Sequence, residues 1–332
     1  MSAITVRDLR RTYSIVSGGL RRKRREVEAL RGVSFDVAPG ELFGLAGPNG
    51  AGKTTTVRVL STLLEPTAGE VRVLGHDVRR EAKQLRRRIG ILFGGERGLY
   101  GRVSGWHNLR YFGNLYGLPS AQATKRITEL LDLVGLSERA HDRVDTYSRG
   151  MKQRLHIARV LLHEPEVLFL DEPTIGLDPV GSREIRDMIR ALRQAGHTIL
   201  LTTHYMPEAD ELCDRLAVIT GGRLLAVASP QELRARVPDM YVVELRPRDL
   251  DASTMDELRR LCGDGGLLTT DEQDGRTVVR IQSVRWRELL ETIPAAVGWE
   301  RAGPLMVREP SLEDVYLRLV GATPPIEQGV PA

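Results

Sequence analysis

Short aliphatic and β-branched runs alternate with amphipathic stretches from Ile4 to about Ala228, the alternation expected of an α/β domain. Leu42 to Ala46, Val71 to Leu74, Val167 to Leu170, Thr198 to Thr202 and Leu216 to Ile219 read as strands. Val167 to Leu170 and Thr198 to Thr202 carry almost no polar residues before their ends, as expected for central strands covered on both faces. Between Leu99 and Arg143 the period becomes helical. Leu109, Phe112, Leu115 and Tyr116, then Ile127, Leu130, Leu131 and Val134, are spaced to form apolar faces, which predicts a helical insertion over about 99–163. Gly221-Gly222 closes a tight hairpin after Ile219, and Ser229-Pro230 opens a short helix ending near Pro238. A first domain over 1–237 follows.

Beyond it, Tyr241 to Leu245 reads as a strand, Thr254 to Leu261 as a helix, Leu267 to Thr270 and Thr277 to Ile281 as strands, and Trp286 to Ile293 as a helix. With a last strand at Leu305 to Val307, this order gives a small ferredoxin-like α+β module over 238–320. An amphipathic helix, Leu312 to Leu319, precedes a Pro-rich tail, 321–332, expected to be disordered.

Composition narrows the classes. With 332 residues, 41% of them hydrophobic, the chain has material for one large core and a small second one. The net charge of +4 comes from arginines spread along the chain, so a nucleic-acid partner is not demanded. Cys213 and Cys262 lack paired or metal-ligand spacing and read as ordinary thiols in a reducing compartment such as the cytosol. Met1 to Val6 lacks the features of a secretory signal. No apolar run approaches the roughly 20 residues that cross a bilayer, so work at a membrane requires another component to hold the chain there.

Candidate chemistry begins at Gly47-Pro48-Asn49-Gly50-Ala51-Gly52-Lys53-Thr54, which follows a predicted strand and leads into a helix through Leu60, the context a P-loop requires. Glycines at 47, 50 and 52 let the backbone pass close to phosphates with N–H groups turned inward, and the helix start adds its positive end. Lys53 reaches the β- and γ-phosphates, Thr54 offers a hydroxyl to Mg²⁺, and Thr55 is a further phosphate contact. Asp171 and Glu172 then close the apolar strand Val167 to Leu170. Carboxylates placed there need a partner. Mg²⁺ suits Asp171, while Glu172 is placed to orient the attacking water or take its proton.

With these two motifs the chain resembles an ATP-binding-cassette (ABC) nucleotide-binding subunit over about two thirds of its length. Tyr147-Ser148-Arg149-Gly150-Met151-Lys152-Gln153 is similar to the family's LSGGQ signature, with Tyr147 and Arg149 as departures and Ser148 and Gly150 retained. Ser148 can cap a helix with Met151, Leu155, Ala158 and Leu162 on one face. The resemblance implies that this helix start meets the γ-phosphate held by a second copy of the chain. It also implies a D-loop at Gly176-Leu177-Asp178, contacting the other subunit, and a switch histidine at His204. The family fold is a P-loop core with a helical subdomain, its substrate is ATP, and its cofactor is Mg²⁺.

Two positions depart from the family. Where a glutamine usually follows the strand Ile89 to Phe93, this chain has Gly94-Gly95-Glu96. Glu96 reads either as a substitute Mg²⁺ ligand or as a solvated side chain of a flexible loop. The adenine-stacking aromatic is assigned to Tyr13, although Ser14 to Glu26, expected as a flexible basic insertion, separates it from the next strand. The run Arg21 to Arg25 within it reads as a solvated loop or as a contact for anionic headgroups.

The signature variant, the C-terminal module and the closing Pro310-Ser311-Leu312-Glu313-Asp314-Val315-Tyr316 resemble ATPase subunits of bacterial drug and antibiotic exporters, the daunorubicin-resistance type. That implies a separate integral membrane permease as partner, docked on the helical insertion around Leu99 to Tyr116, and work at the cytoplasmic face of the cell membrane. The rivals are a soluble ABC ATPase acting on DNA or ribosomes, which normally carries a long coiled coil or second cassette, and a non-hydrolysing regulatory cassette.

Overall fold

The computed structural model describes residues 2–17, 23–94, 98–248, 250–273 and 275–321. Two compact units divide the chain, Met1–Ser229 and Pro230–Ala332. The helix Pro230–Arg234, expected to end the first domain at 237, belongs to the second unit, where it packs against the closing helix Leu312–Gly321.

The first unit is built on a six-stranded sheet in the order Arg223–Ala228, Arg215–Thr220, Leu42–Ala46, Thr198–Thr203, Val167–Asp171, Ile89–Phe93. Only the Arg223–Ala228 edge, the hairpin predicted at Gly221-Gly222, is antiparallel. Every residue of Leu42–Ala46, Val167–Asp171 and Thr198–Thr203 is buried, as continuous apolar runs in a doubly covered parallel sheet demand. The register aligns Ala46 with Thr203, Thr202 with Asp171 and Asp171 with Phe93, so the loops leaving four strands open along one carboxyl edge. In such sheets that edge is where ligands bind.

A second, antiparallel sheet runs Lys23–Val37, Ile4–Ser17, Ala68–Val73, His76–Asp77. Here the expected flexible insertion is corrected. The ladder continues past Tyr13 to pair Ile15 with Arg25 and Ser17 with Lys23, so both flanks of the insertion are strand. Backbone pairing along this ladder overrides the charge density that suggested a loop. Arg21 and Arg22 lie outside the described residues.

The helical insertion contains Gly105–Leu115, Ser120–Leu133 and Arg149–Leu161. Ile127, Leu130, Leu131 and Val134 are buried as their spacing predicts. Of the first predicted face only Leu109 is fully buried, and Leu115 and Tyr116 point outward at 64% and 46% exposure.

In the second unit, an antiparallel sheet of order Leu267–Gln273, Arg276–Ser283, Tyr241–Leu245, Leu305–Arg308 packs with helices Ala252–Cys262 and Trp286–Val297 around Val243, Leu258, Ile281 and Ile293. This is the ferredoxin-like order. The closing motif begins at a clasp: buried Asp314 accepts from the Ser311 N–H at 2.7 Å and from Arg308. Residues 322–332 of the expected disordered tail lie outside the described residues.

Candidate functional site

The strand Leu42–Ala46 delivers the chain into a loop that only glycine can make. A Cβ on Gly47 would sit 2.0 Å from the Ile219 carbonyl, and one on Gly52, at φ +109°, would meet Leu30 at 2.7 Å and the Ala29 carbonyl at 2.8 Å. Pro48, Asn49 and Gly50 form the exposed crest, Ala51 is buried, and the helix Lys53–Leu60 starts with no side chain capping its N–H groups. Those groups remain free to face an anion. Lys53 is buried and donates through Nζ to the carbonyls of Gly47 at 2.7 Å and Pro48 at 3.1 Å. Thr54 and Thr55 follow, both half-buried.

Asp171 ends its strand buried and accepts a hydrogen bond from the Thr202 hydroxyl of the neighbouring strand. Glu172 turns sharply away at φ +51°, its N–H donating to the Thr202 carbonyl at 3.1 Å. The turn sends consecutive carboxylates to different places. Glu172 Oε1 lies 3.3 Å from Lys53 Nζ, and its Oε2 lies 3.2 Å from His204 Nδ1. Three residues far apart in sequence thus meet around one carboxylate at the carboxyl edge.

Ser148 accepts from the Met151 N–H at 3.2 Å and caps Arg149–Leu161, as its place in the sequence predicts. Among the described residues no hydrogen bond or ion pair joins Ser148 or Gly150 to Lys53, Glu172 or His204. Asp178 caps the next helix, Pro179–Gln194, accepting from the Gly181 N–H at 2.7 Å, a local role its motif did not reveal. Tyr13 lies beside the P-loop helix, its hydroxyl 3.4 Å from Thr55 Oγ1, with the Arg11 guanidinium 4.9 Å from its ring centre. Glu96 lies outside the described residues. Gly94, where that loop begins, abuts the acidic pair: a Cβ there would sit 3.2 Å from the Asp171 carbonyl and 3.3 Å from that of Glu172.

Three supporting residues had no role assigned from the sequence. Thr202 holds Asp171. Gln153 donates to the Pro173 carbonyl at 2.7 Å. Glu208 is buried behind the site and accepts from the Thr174 hydroxyl at 2.7 Å. Burial pushes the Glu208 carboxyl above its ordinary range, against hydrogen bonds from Thr203 and Thr174 that pull it down. The one available signal was the pair Thr202-Thr203, hydroxyls that follow the aliphatic run Ile199 to Leu201. Among the described residues no cluster of three or more His, Cys, Asp or Glu forms an all-protein metal cage. The Thr54 hydroxyl and the Asp171 carboxylate offer hard oxygen donors, the sparse set that suits Mg²⁺ completed by phosphates and water.

The comparisons with known proteins agree with this geometry. The family model described as "ABC transporter" matches residues 30–175. The chain is 41% identical over 314 residues to the daunorubicin resistance ATP-binding protein DrrA3 of Streptomyces coeruleorubidus, covering 93% of this chain and 96% of that one. It is 34% identical to the linearmycin resistance ATP-binding protein LnrL of Bacillus subtilis (strain 168), covering 89% and 94%. Among solved structures it is similar to cbiO1 of Clostridium perfringens, part of the ABC transporter complex cbiONQ, with a TM-score of 0.61, 28% identity and coverage of 70% and 91%. A glycine-lined phosphate loop, a paired acidic strand end and similarity running through both units converge on one assignment: this chain belongs to the ABC transporter family, as one of its ATP-hydrolysing, ATP-binding subunits.

Proposed function

We propose that this chain works as a pair of identical cassettes at the cytoplasmic face of the cell membrane, where ATP hydrolysis drives export of a lipophilic, drug-like compound through a separate permease. The observation that carries the reading is the division of the site: Lys53, Glu172 and His204 meet in one chain, whereas among the described residues no hydrogen bond or ion pair joins Ser148, which is exposed, or Gly150 to them. A second copy supplies them. The resistance functions in the relatives' names, matched along both units, support export of a drug-like cargo. Tyr100, Tyr111, Leu115 and Tyr116, all 44–64% exposed on the helical insertion, support a docked permease, because exposed aromatic clusters of this kind mark partner surfaces. No described helix is long and apolar enough to cross a membrane.

In the proposed cycle the P-loop N–H groups and Lys53 hold the β- and γ-phosphates, with Tyr13 stacked on the adenine. Thr54 and Asp171 are the residues that would hold Mg²⁺, which when bound neutralises charge on the phosphate oxygens. Ser148 and the signature helix start of the partner close over the γ-phosphate, and Asp178 lies in the loop facing that partner. Glu172, oriented between Lys53 and His204, positions a water and takes its proton as the new P–O bond forms and ADP leaves. His204 keeps Glu172 in place and faces the γ-phosphate. The intact set speaks against a non-hydrolysing regulatory cassette.

Glu172→Gln tests this. The variant should bind ATP, form a stable ATP-dependent dimer by size-exclusion chromatography, and lose turnover by at least about 100-fold. Rapid hydrolysis by that variant would overturn the assignment of Glu172, and absence of any ATP-dependent dimer would overturn the pairing.

A further inference from the structure

The signature helix touches the chain just past the catalytic glutamate. Gln153, buried on the helix Arg149–Leu161, donates through Nε2 to the carbonyl of buried Pro173, which directly follows Glu172. Arg149, one turn earlier on the same face, donates to the Gly176 carbonyl at 3.4 Å. From the other side, the Thr174 hydroxyl reaches Glu208 on the helix Met206–Leu212 that follows His204. Residues 173–176 are thus gripped between the element that faces the partner's nucleotide and the element that follows the switch histidine.

This segment is a stiff link. Proline fixes its own φ and peptide bonds are planar, so a displacement of the Pro173 carbonyl passes into the peptide that carries Glu172. Glu172 already sits at a left-handed φ, a narrow well in which small rotations move the carboxylate relative to Lys53 and His204. Among the described residues the amide of Gln153 is the side chain that holds the Pro173 carbonyl, and removing its donor would leave that buried carbonyl without this partner.

We propose that Gln153 is a positioning residue that ties the orientation of Glu172 in each subunit to engagement of that subunit's signature helix with the partner's ATP, so that the two sites hydrolyse as a coupled pair. This rests on the paired-cassette reading above. Gln153 touches neither nucleotide nor water; it acts through Pro173.

The test uses the full-length chain and the ATP dependence of its hydrolysis rate. Wild type should show a Hill coefficient near 2, the ceiling for two coupled sites, and Gln153→Leu should bring it to about 1 with kcat down roughly 10-fold. ATP affinity, measured by equilibrium binding at a protein concentration too dilute for pairing, should stay within about twofold. Gln153→Glu keeps the shape but exchanges the donated bond for an acceptor, and should reproduce the loss. With Glu172→Gln added, Gln153→Leu should still form the ATP-dependent dimer. Wild-type cooperativity in either variant overturns the proposal, as does an unpaired-chain affinity that falls as far as kcat. A wild-type chain that never dimerises with ATP overturns the paired reading as well, which separates the two failures.

Discussion

Two helix starts in this molecule face phosphate in the proposed cycle, and they are finished differently. At Lys53–Leu60 the preceding residue is Gly52 in a left-handed conformation, no side chain caps the N–H groups, and a buried lysine supplies the charge. At Arg149–Leu161 the hydroxyl of Ser148 satisfies one N–H, and the neighbouring Arg149 is exposed. The first is a cradle walled by its own chain, with Ile219, Leu30 and Ala29 packed against its glycines. The second is a surface, complete as a helix terminus and incomplete as a site. In the proposed cycle the cradle governs how tightly one chain holds nucleotide, and the surface governs whether a pair turns it over.

That contrast can be broken or sharpened by experiment. The largest effect is expected from Lys53→Ala, which removes the buried ammonium: ATP affinity by equilibrium binding should fall about 100-fold and turnover about 1000-fold or more. Next, Ser148→Ala should lower turnover of the paired chain roughly 100-fold while ATP binding to the unpaired chain changes less than about twofold. Equal losses in both measurements would make the second helix start part of the cradle and erase the distinction. Tyr13→Ala should weaken binding about 10-fold, the worth of one aromatic stack, with kcat at saturating ATP unchanged; unaltered affinity would exclude Tyr13 from the adenine site.

The smallest effect concerns stability and lies behind the switch, away from both helix starts. Because the folded chain raises the Glu208 carboxyl above its ordinary 4.5, it keeps a proton that the unfolded chain releases once the pH passes that value. The unfolded state then binds fewer protons than the native state, so this group lowers stability progressively as pH climbs from there to its raised folded value. Glu208→Gln removes the titration, and its melting temperature relative to wild type should rise with pH across that window and then level. A pH-independent difference would mean that Glu208 is ionised in the fold.

The phosphate loop and the acidic pair were legible because their spacing is contiguous and their flanking runs are unmistakably strand. Their meeting was not. Leu42–Ala46 and Val167–Asp171 are separated in the sheet by Thr198–Thr203, and only that order, settled by long-range packing, brings Lys53 to Glu172 and leaves Thr202 beneath Asp171. The strand flanks beyond Tyr13 were misread because arginine and lysine mask a segment that pairs, as backbone, with Lys23–Val37. Leu115 and Tyr116 fit a helical period and still face outward, since periodicity marks a face as apolar without saying what covers it. The clasp at Asp314 shows why the closing motif has its form: burial alone would raise that carboxyl, but Arg308 and Ser311 hold it below the usual range, fixing the corner between the last strand and last helix.

The left-handed backbone at Glu172 sets conformation against chemistry at one residue. A glutamate there occupies a conformation that glycine, asparagine and aspartate tolerate far better, at a penalty of roughly 1–2 kcal/mol for an ordinary L-residue. Replacement by glycine or asparagine would relieve the backbone while removing the carboxylate that lies 3.3 Å from Lys53 and 3.2 Å from His204. In the proposed cycle the side chain the chemistry calls for is therefore not the one the backbone favours, and the site carries that local cost in its folded state.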